Sequence, residues 1–76
     1  MLSLRGTTLV VGLGKSGLSA ARALMALDAA VTVADSRFDP PGLADLRAEF
    51  PTVPLQLGEF DPALLAKAAR LLVSPG

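Results

Sequence analysis

Three glycines and one tripeptide hold the residues on which chemistry could be built. Gly12, Gly14 and Gly17 stand as G-x-G-x-x-G within VVGLGKSGLSA, and Asp35-Ser36-Arg37 follows further along. A glycine turn that opens a helix presents unpaired backbone N–H groups at the positive end of a dipole, which favours a diphosphate. The same stretch contains Gly14-Lys15-Ser16, the ending of an ATP-binding P-loop. That motif, G-x-x-x-x-G-K-[ST], needs a glycine five residues before Gly14, and Leu9 stands there. A dinucleotide-type turn needs instead a strand before it, a helix after it and an acidic residue about 20 positions on. Asp35 comes 18 residues after Gly17. In this turn Gly12 permits the tight bend, Gly14 lets backbone approach a pyrophosphate, and Gly17 lets the helix lie close to the sheet.

Composition removes several other chemistries. The 76 residues include no Cys and no His, so zinc sites of the usual kind, thiol nucleophiles and a histidine base are out of reach. Seven basic residues balance seven acidic ones, and zero net charge argues against a polyanion-binding face. A chain that is 51% hydrophobic and 18% charged is globular in composition. Its length suits one small domain, 1–76, of marginal stability, too short for a large enzyme with its own closed active site. No apolar run approaches a membrane span, and the N-terminus lacks the layout of a signal peptide, so a cytoplasmic protein is expected.

The elements that must position these residues alternate. Thr7 to Val11 is a β-branched run closed by Gly12, and Leu18 to Leu27 is rich in Ala, Leu and Met with no β-branched residue, which predicts a strand, a turn and a helix. Ala30 to Ala34 is a continuous apolar run ending at Asp35, as a strand buried on both faces reads. Gly42 to Phe50 is weakly amphipathic and stops at Pro51. Val53 to Leu57 is a third strand, placed at an edge by Pro54. Asp61-Pro62 opens a helix over Ala63 to Arg70, and Leu71 to Val73 is a fourth strand before Ser74-Pro75-Gly76. Strands near 7–12, 30–35, 53–57 and 71–73 alternating with helices predict an α/β fold, a Rossmann-like open parallel sheet of about four strands with flanking helices. Gly12, Asp35 and Ser74 then share the carboxyl edge, where ligands of open α/β sheets bind.

GLGKSGLSAA near the start, ADSRFDPPGL after the second strand and LLVSPG at the end resemble the N-terminal domain of the Mur ligases, most closely the D-glutamate-adding branch. The likeness covers nearly the whole chain in order and spacing. It implies a parent enzyme that adds D-glutamate to UDP-MurNAc-L-alanine in peptidoglycan synthesis, using ATP and magnesium through an acyl phosphate. For this segment it implies the UDP end of that substrate. The stretch Gly14, Lys15, Ser16 and Gly17 would lie by the diphosphate, Asp35, Ser36 and Arg37 at the uracil and ribose, and Gly76 at the closing edge. Uracil offers two carbonyl acceptors flanking one N–H donor, which a carboxylate, a hydroxyl and backbone N–H groups can match, with Arg37 lying flat against the ring. In the family the ATP loop, the magnesium ligands and the D-glutamate site lie further along, so the chain is expected to be part of a larger ligase, binding nucleotide without ligating.

Each candidate also has a plainer role. Asp35 suits a turn cap and Arg37 a solvated surface charge. Lys15 sits where a helix dipole slightly disfavours a cation, and Phe38, Phe50 and Phe60 suit core or loop packing. Two other classes of function stay open. One is an NAD(P)-binding domain of an oxidoreductase or regulatory subunit, with Asp35 on the adenosine ribose; the other is an interaction module without a ligand.

Overall fold

In a computed structural model the chain is described at residues 7–59, 63, 66 and 68–73. Its elements run β1 (Thr7–Val11), α1 (Lys15–Ala26), β2 (Ala30–Asp35), α2 (Leu43–Glu49), β3 (Leu55–Leu57) and β4 (Arg70–Val73). The four strands form one sheet in the order β3-β2-β1-β4, and every neighbouring pair is parallel. The expected Rossmann-like α/β sheet is therefore what the chain forms. Successive strands step outward from β1 to β3, and β4 returns to the other side of β1. The step reverses at β1, which makes the carboxyl ends of β1 and β4 the topological switch point.

β1 is central, so its TTLVV side chains meet neighbours on both faces, and Leu9 and Val10 are fully buried. β2 is buried from Val31 to Asp35, as a strand covered on both sides should be. β3 lies at the edge that Pro54 predicted. Pro54, just before it, has no N–H to give, but its carbonyl accepts from Val33 N–H at 3.0 Å. Val53 precedes that strand rather than belonging to it, and buries its side chain in the core.

α1 begins at Lys15, three residues earlier than propensity suggested, because Gly14 in extended backbone takes the N-cap position. Gly17, Leu18 and Ala21 form its buried stripe, with Leu24 and Met25 partly covered, the spacing of one helical face. Right-handed crossovers place α1 and α2 on one face of the sheet. There Arg22 of α1 grips Glu49 of α2, with Nε donating to Oε1 at 2.8 Å. α2 drives Leu43 and Leu46 against Val10, Leu13 and Val33.

The helix expected over Ala63 to Arg70 is shorter than its sequence suggested. Ala63 and Ala66 are helical, but 68 and 69 are not, and Arg70 already pairs with Thr8 in β4. The proposed cap at Asp61-Pro62 lies outside the described residues, as do Phe60 and Ser74-Pro75-Gly76. Among the described residues no helix is long and apolar enough to cross a membrane.

Candidate functional site

The register of β1 against β2 builds the site. Val11 faces Ala34, and the ladder continues one step beyond β1, with Gly12 N–H donating to Ala34 C=O at 2.7 Å. Gly12 has φ +97°, a conformation that side chains rarely adopt, so the chain can leave the sheet here only through a glycine. That turn brings Leu13 beside Asp35, the next residue of β2. The Leu13 N–H donates to Asp35 Oδ2 at 2.7 Å.

Asp35 is 3% exposed and accepts four hydrogen bonds. Its Oδ1 takes the Arg37 backbone N–H at 2.8 Å and Arg37 Nε at 2.9 Å, and its Oδ2 takes Leu13 N–H and Arg37 Nη2, both at 2.7 Å. A carboxylate has about four lone-pair sites, and these donors fill them. The Arg37 guanidinium, and then the backbone N–H groups of Leu13 and Arg37, hold the Asp35 carboxyl far below the usual carboxylate range despite its burial. Asp35 thus makes both a turn of its own, to Arg37 two residues on, and a tie to the glycine loop. Arg37 keeps 44% of its side chain exposed, so its outer face is open beside Ser36, which is exposed as well.

Leu13 was not among the candidates, and it is the hub of the site. Its side chain is fully buried, its N–H goes to Asp35, and its C=O accepts Gly42 N–H at 3.0 Å. A Cβ on Gly42 would sit 3.2 Å from the Leu13 carbonyl oxygen. Pro40-Pro41-Gly42 is therefore the strap that clamps the glycine turn from the side of α2. The clue was that a glycine follows two prolines just before a helix.

At the start of α1 the N-cap is glycine, no side chain caps the helix, and no acidic residue lies in the first turn. The first N–H groups of a helix have no partner within it. Leu13 N–H is already taken, so among the described residues Gly14, Lys15, Ser16 and Gly17 carry the open donors. Gly14 and Gly17 are buried, whereas Lys15 and Ser16 are exposed. These donors and the Asp35-Ser36-Arg37 loop occupy the same carboxyl edge. Gly76 lies outside the described residues. A different hollow of about 260 Å³ opens among Thr7, Met25, Val31, Val53 and Pro54, at the opposite end of the strands. It contains none of the candidate residues. Among the described residues no group of His, Cys, Asp or Glu could hold a metal ion.

Comparison with known proteins decides the family on this geometry. Residues 6–76 match the family described as Mur ligase MurD-like, N-terminal domain. The chain belongs to that family. Among similar proteins is the UDP-N-acetylmuramoylalanine--D-glutamate ligase of Marinobacter nauticus, 55% identical over 69 residues, which are 91% of this chain and 16% of that protein. The protein of the same name from Methylococcus capsulatus is 51% identical over 75 residues, 99% of this chain and 16% of that protein. That from Pseudomonas aeruginosa is 48% identical over 68 residues, 90% of this chain and 15% of that protein. The chain spans about a sixth of the length of these relatives. The MurD-like match thus covers the glycine turn, the Asp35-Ser36-Arg37 loop and the Pro40-Pro41-Gly42 strap together.

Proposed function

We propose that this MurD-like domain holds the uridine diphosphate end of UDP-MurNAc-L-alanine for a cytoplasmic ligase that adds D-glutamate to it in peptidoglycan synthesis. ATP and magnesium would be used elsewhere in the parent enzyme, and the segment alone would bind without ligating. The observation that carries this is the uncapped start of α1 at the switch point of the sheet, in a chain whose relatives are named as that ligase.

The diphosphate would take the open N–H groups of Gly14 to Gly17, where the helix dipole adds to their attraction. Lys15 and Ser16, exposed at the mouth, would add a cation and a hydroxyl to the phosphate oxygens. The nucleobase would lie at the loop after β2. Ser36 supplies a hydroxyl and a backbone N–H for uracil's carbonyls, and the Arg37 guanidinium supplies a plane. The direct carboxylate contact to uracil expected of Asp35 gives way to an indirect role: with four donors on its two oxygens, it fixes Arg37 and the glycine turn in relation to one another. The same saturation disfavours the NAD arrangement, in which such a carboxylate must accept two ribose hydroxyls.

Gly14→Val is the direct test. A branched side chain at the point of closest backbone approach would occupy the phosphate's space. The variant should keep its circular dichroism spectrum and lose UDP binding, measured by chemical-shift perturbation. Unchanged UDP affinity would remove Gly14 from the site, and an unfolded variant would make the turn a packing device.

A further inference from the structure

Phe38 is 78% exposed, the extreme of any aromatic among the described residues. It is nevertheless held. A Cβ built on Gly58 would lie 2.5 Å from two of its ring carbons and 3.1 Å from a third, so the ring rests on the bare Cα of that glycine. Gly58 has φ +83°, which by itself favours glycine there. Its N–H donates to Asp35 C=O at 2.9 Å, one step beyond the last paired residues of β2 and β3, Asp35 and Leu57. An aromatic ring laid over a glycine at a sheet edge covers backbone that water would otherwise reach and supports the cross-strand pairing beneath it.

Ser36 and Arg37 are consequently strung between two fixed points. On one side the Asp35 carboxylate holds the Arg37 backbone and guanidinium. On the other, Phe38 pins the loop to the end of β3 through Gly58. Removal of the ring frees the second point and leaves the first intact. The glycine turn at Gly12 to Gly17 is tied through Leu13 and Gly42, by contacts that do not include Phe38.

We propose that Phe38, seated on Gly58, is a positioning residue for the base end of the site: it holds the Ser36-Arg37 loop in the conformation that meets a pyrimidine, and leaves the diphosphate end alone. This rests on the UDP assignment made above.

The test uses the 76-residue chain with UDP and inorganic pyrophosphate as separate probes, followed by NMR. Without any ligand, ring current from Phe38 should move the Gly58 α-protons upfield, and Phe38→Ala should abolish that shift. The same variant should bind UDP up to about 5-fold more weakly, the scale of one cross-strand pair, with pyrophosphate binding unchanged. Phe38→Tyr should restore both the shift and the affinity. Gly58→Ala drives the ring off and also strains the backbone at φ +83°, so it should weaken UDP binding at least as much as Phe38→Ala, and adding Phe38→Ala to it should weaken binding no further. Should Phe38→Ala lose its dispersed spectrum, Phe38→Leu makes the same comparison with apolar bulk kept. Equal weakening of UDP and pyrophosphate, or unchanged UDP binding, overturns the positioning role. A wild-type chain that shows the Gly58 shift yet binds pyrophosphate and UDP alike overturns the UDP assignment, and the proposal with it.

Discussion

Leu13 has two backbone polar groups, and residues far along the chain take both: the Asp35 carboxylate takes its N–H and Gly42 N–H takes its C=O. The Asp35 side chain is thus a structural acceptor as much as a site residue. Asp35→Ala should lower stability by about 1–3 kcal/mol, because it leaves the buried Leu13 N–H without an acceptor. Chemical denaturation at neutral pH measures this. The charge adds a pH dependence whose direction follows from the depressed native pKa. As pH falls, the unfolded chain protonates this carboxyl first, near its ordinary value of about 3.9. Stability from the ion pair is therefore whole above that pH and is lost as pH drops further toward the native value. Asp35→Asn lacks the charge. The stability gap between wild type and Asp35→Asn should be constant from neutral pH down to about pH 5 and close progressively below about pH 4. A gap that instead grew on acidification would contradict the Arg37 pairing. Glu49, held low by Arg22 on the helix face, is common to both proteins and cancels in the comparison.

At the scale of elements, the C-terminal end of α1 carries a residue at odds with its conformation. Ala29 N–H donates to Leu24 C=O at 3.0 Å and Asp28 N–H to Met25 C=O at 3.0 Å, the two bonds of a Schellman ending. Asp28 occupies the left-handed position with φ +59°, where glycine is usual. It also places an anion at the negative end of the helix dipole, with no basic residue in the last turn. Asp28→Gly should therefore raise stability by about 0.5–1 kcal/mol and raise the melting temperature, which thermal denaturation measures. A lower melting temperature would mean that the Asp28 side chain does more for the fold than these two costs. Most elements were legible in the sequence, and the exceptions have physical reasons. β1 is rich in β-branched residues, β2 is a largely apolar run ending at Asp35, and the proline before β3 announced an edge, so local pattern sufficed. α1 began early because a cap is set by backbone geometry rather than by apolar periodicity. Arg70 joined β4 because pairing with Thr8 overrides the helix preference of an Ala-Ala-Arg run, strong though that preference is. At the site, the glycine turn and the acidic partner could be read from spacing. The Leu13–Asp35 bond spans 22 residues, and the seat of Phe38 on Gly58 joins two loops, so neither leaves a mark in any short window.

For the whole molecule, the question posed by Gly14-Lys15-Ser16 becomes one of selectivity. The strand order β3-β2-β1-β4 sets the open helix start beside the sheet's reversal, and the loop after β2 borders it on the β2 side. Nothing in that arrangement wraps a triphosphate, since the backbone ahead of Gly12 is strand β1, paired on both edges, rather than a free loop. The chain should therefore show no ATPase activity and should bind UDP in preference to ATP. Pyrimidine is favoured because a site built for hydrogen bonds penalises a base that leaves those groups unpaired. Affinity should be weak, a Kd of about 1 mM or somewhat better, since only the UDP end of the proposed substrate is engaged. Chemical-shift titration with UDP, UMP, ATP and NAD at equal concentration separates the possibilities. Under the assignment proposed, every diphosphate moves the amide signals of Gly14 to Gly17, whereas only uridine compounds move those of Asp35 to Arg37. NAD outcompeting UDP would instead make this an oxidoreductase-type module, in which Arg37 must release Asp35 to free its oxygens for the ribose. That release would be visible as faster solvent exchange of the Arg37 side-chain Nε–H with NAD alone, whereas UDP binding should leave its hydrogen bond to Asp35, and hence its protection, in place.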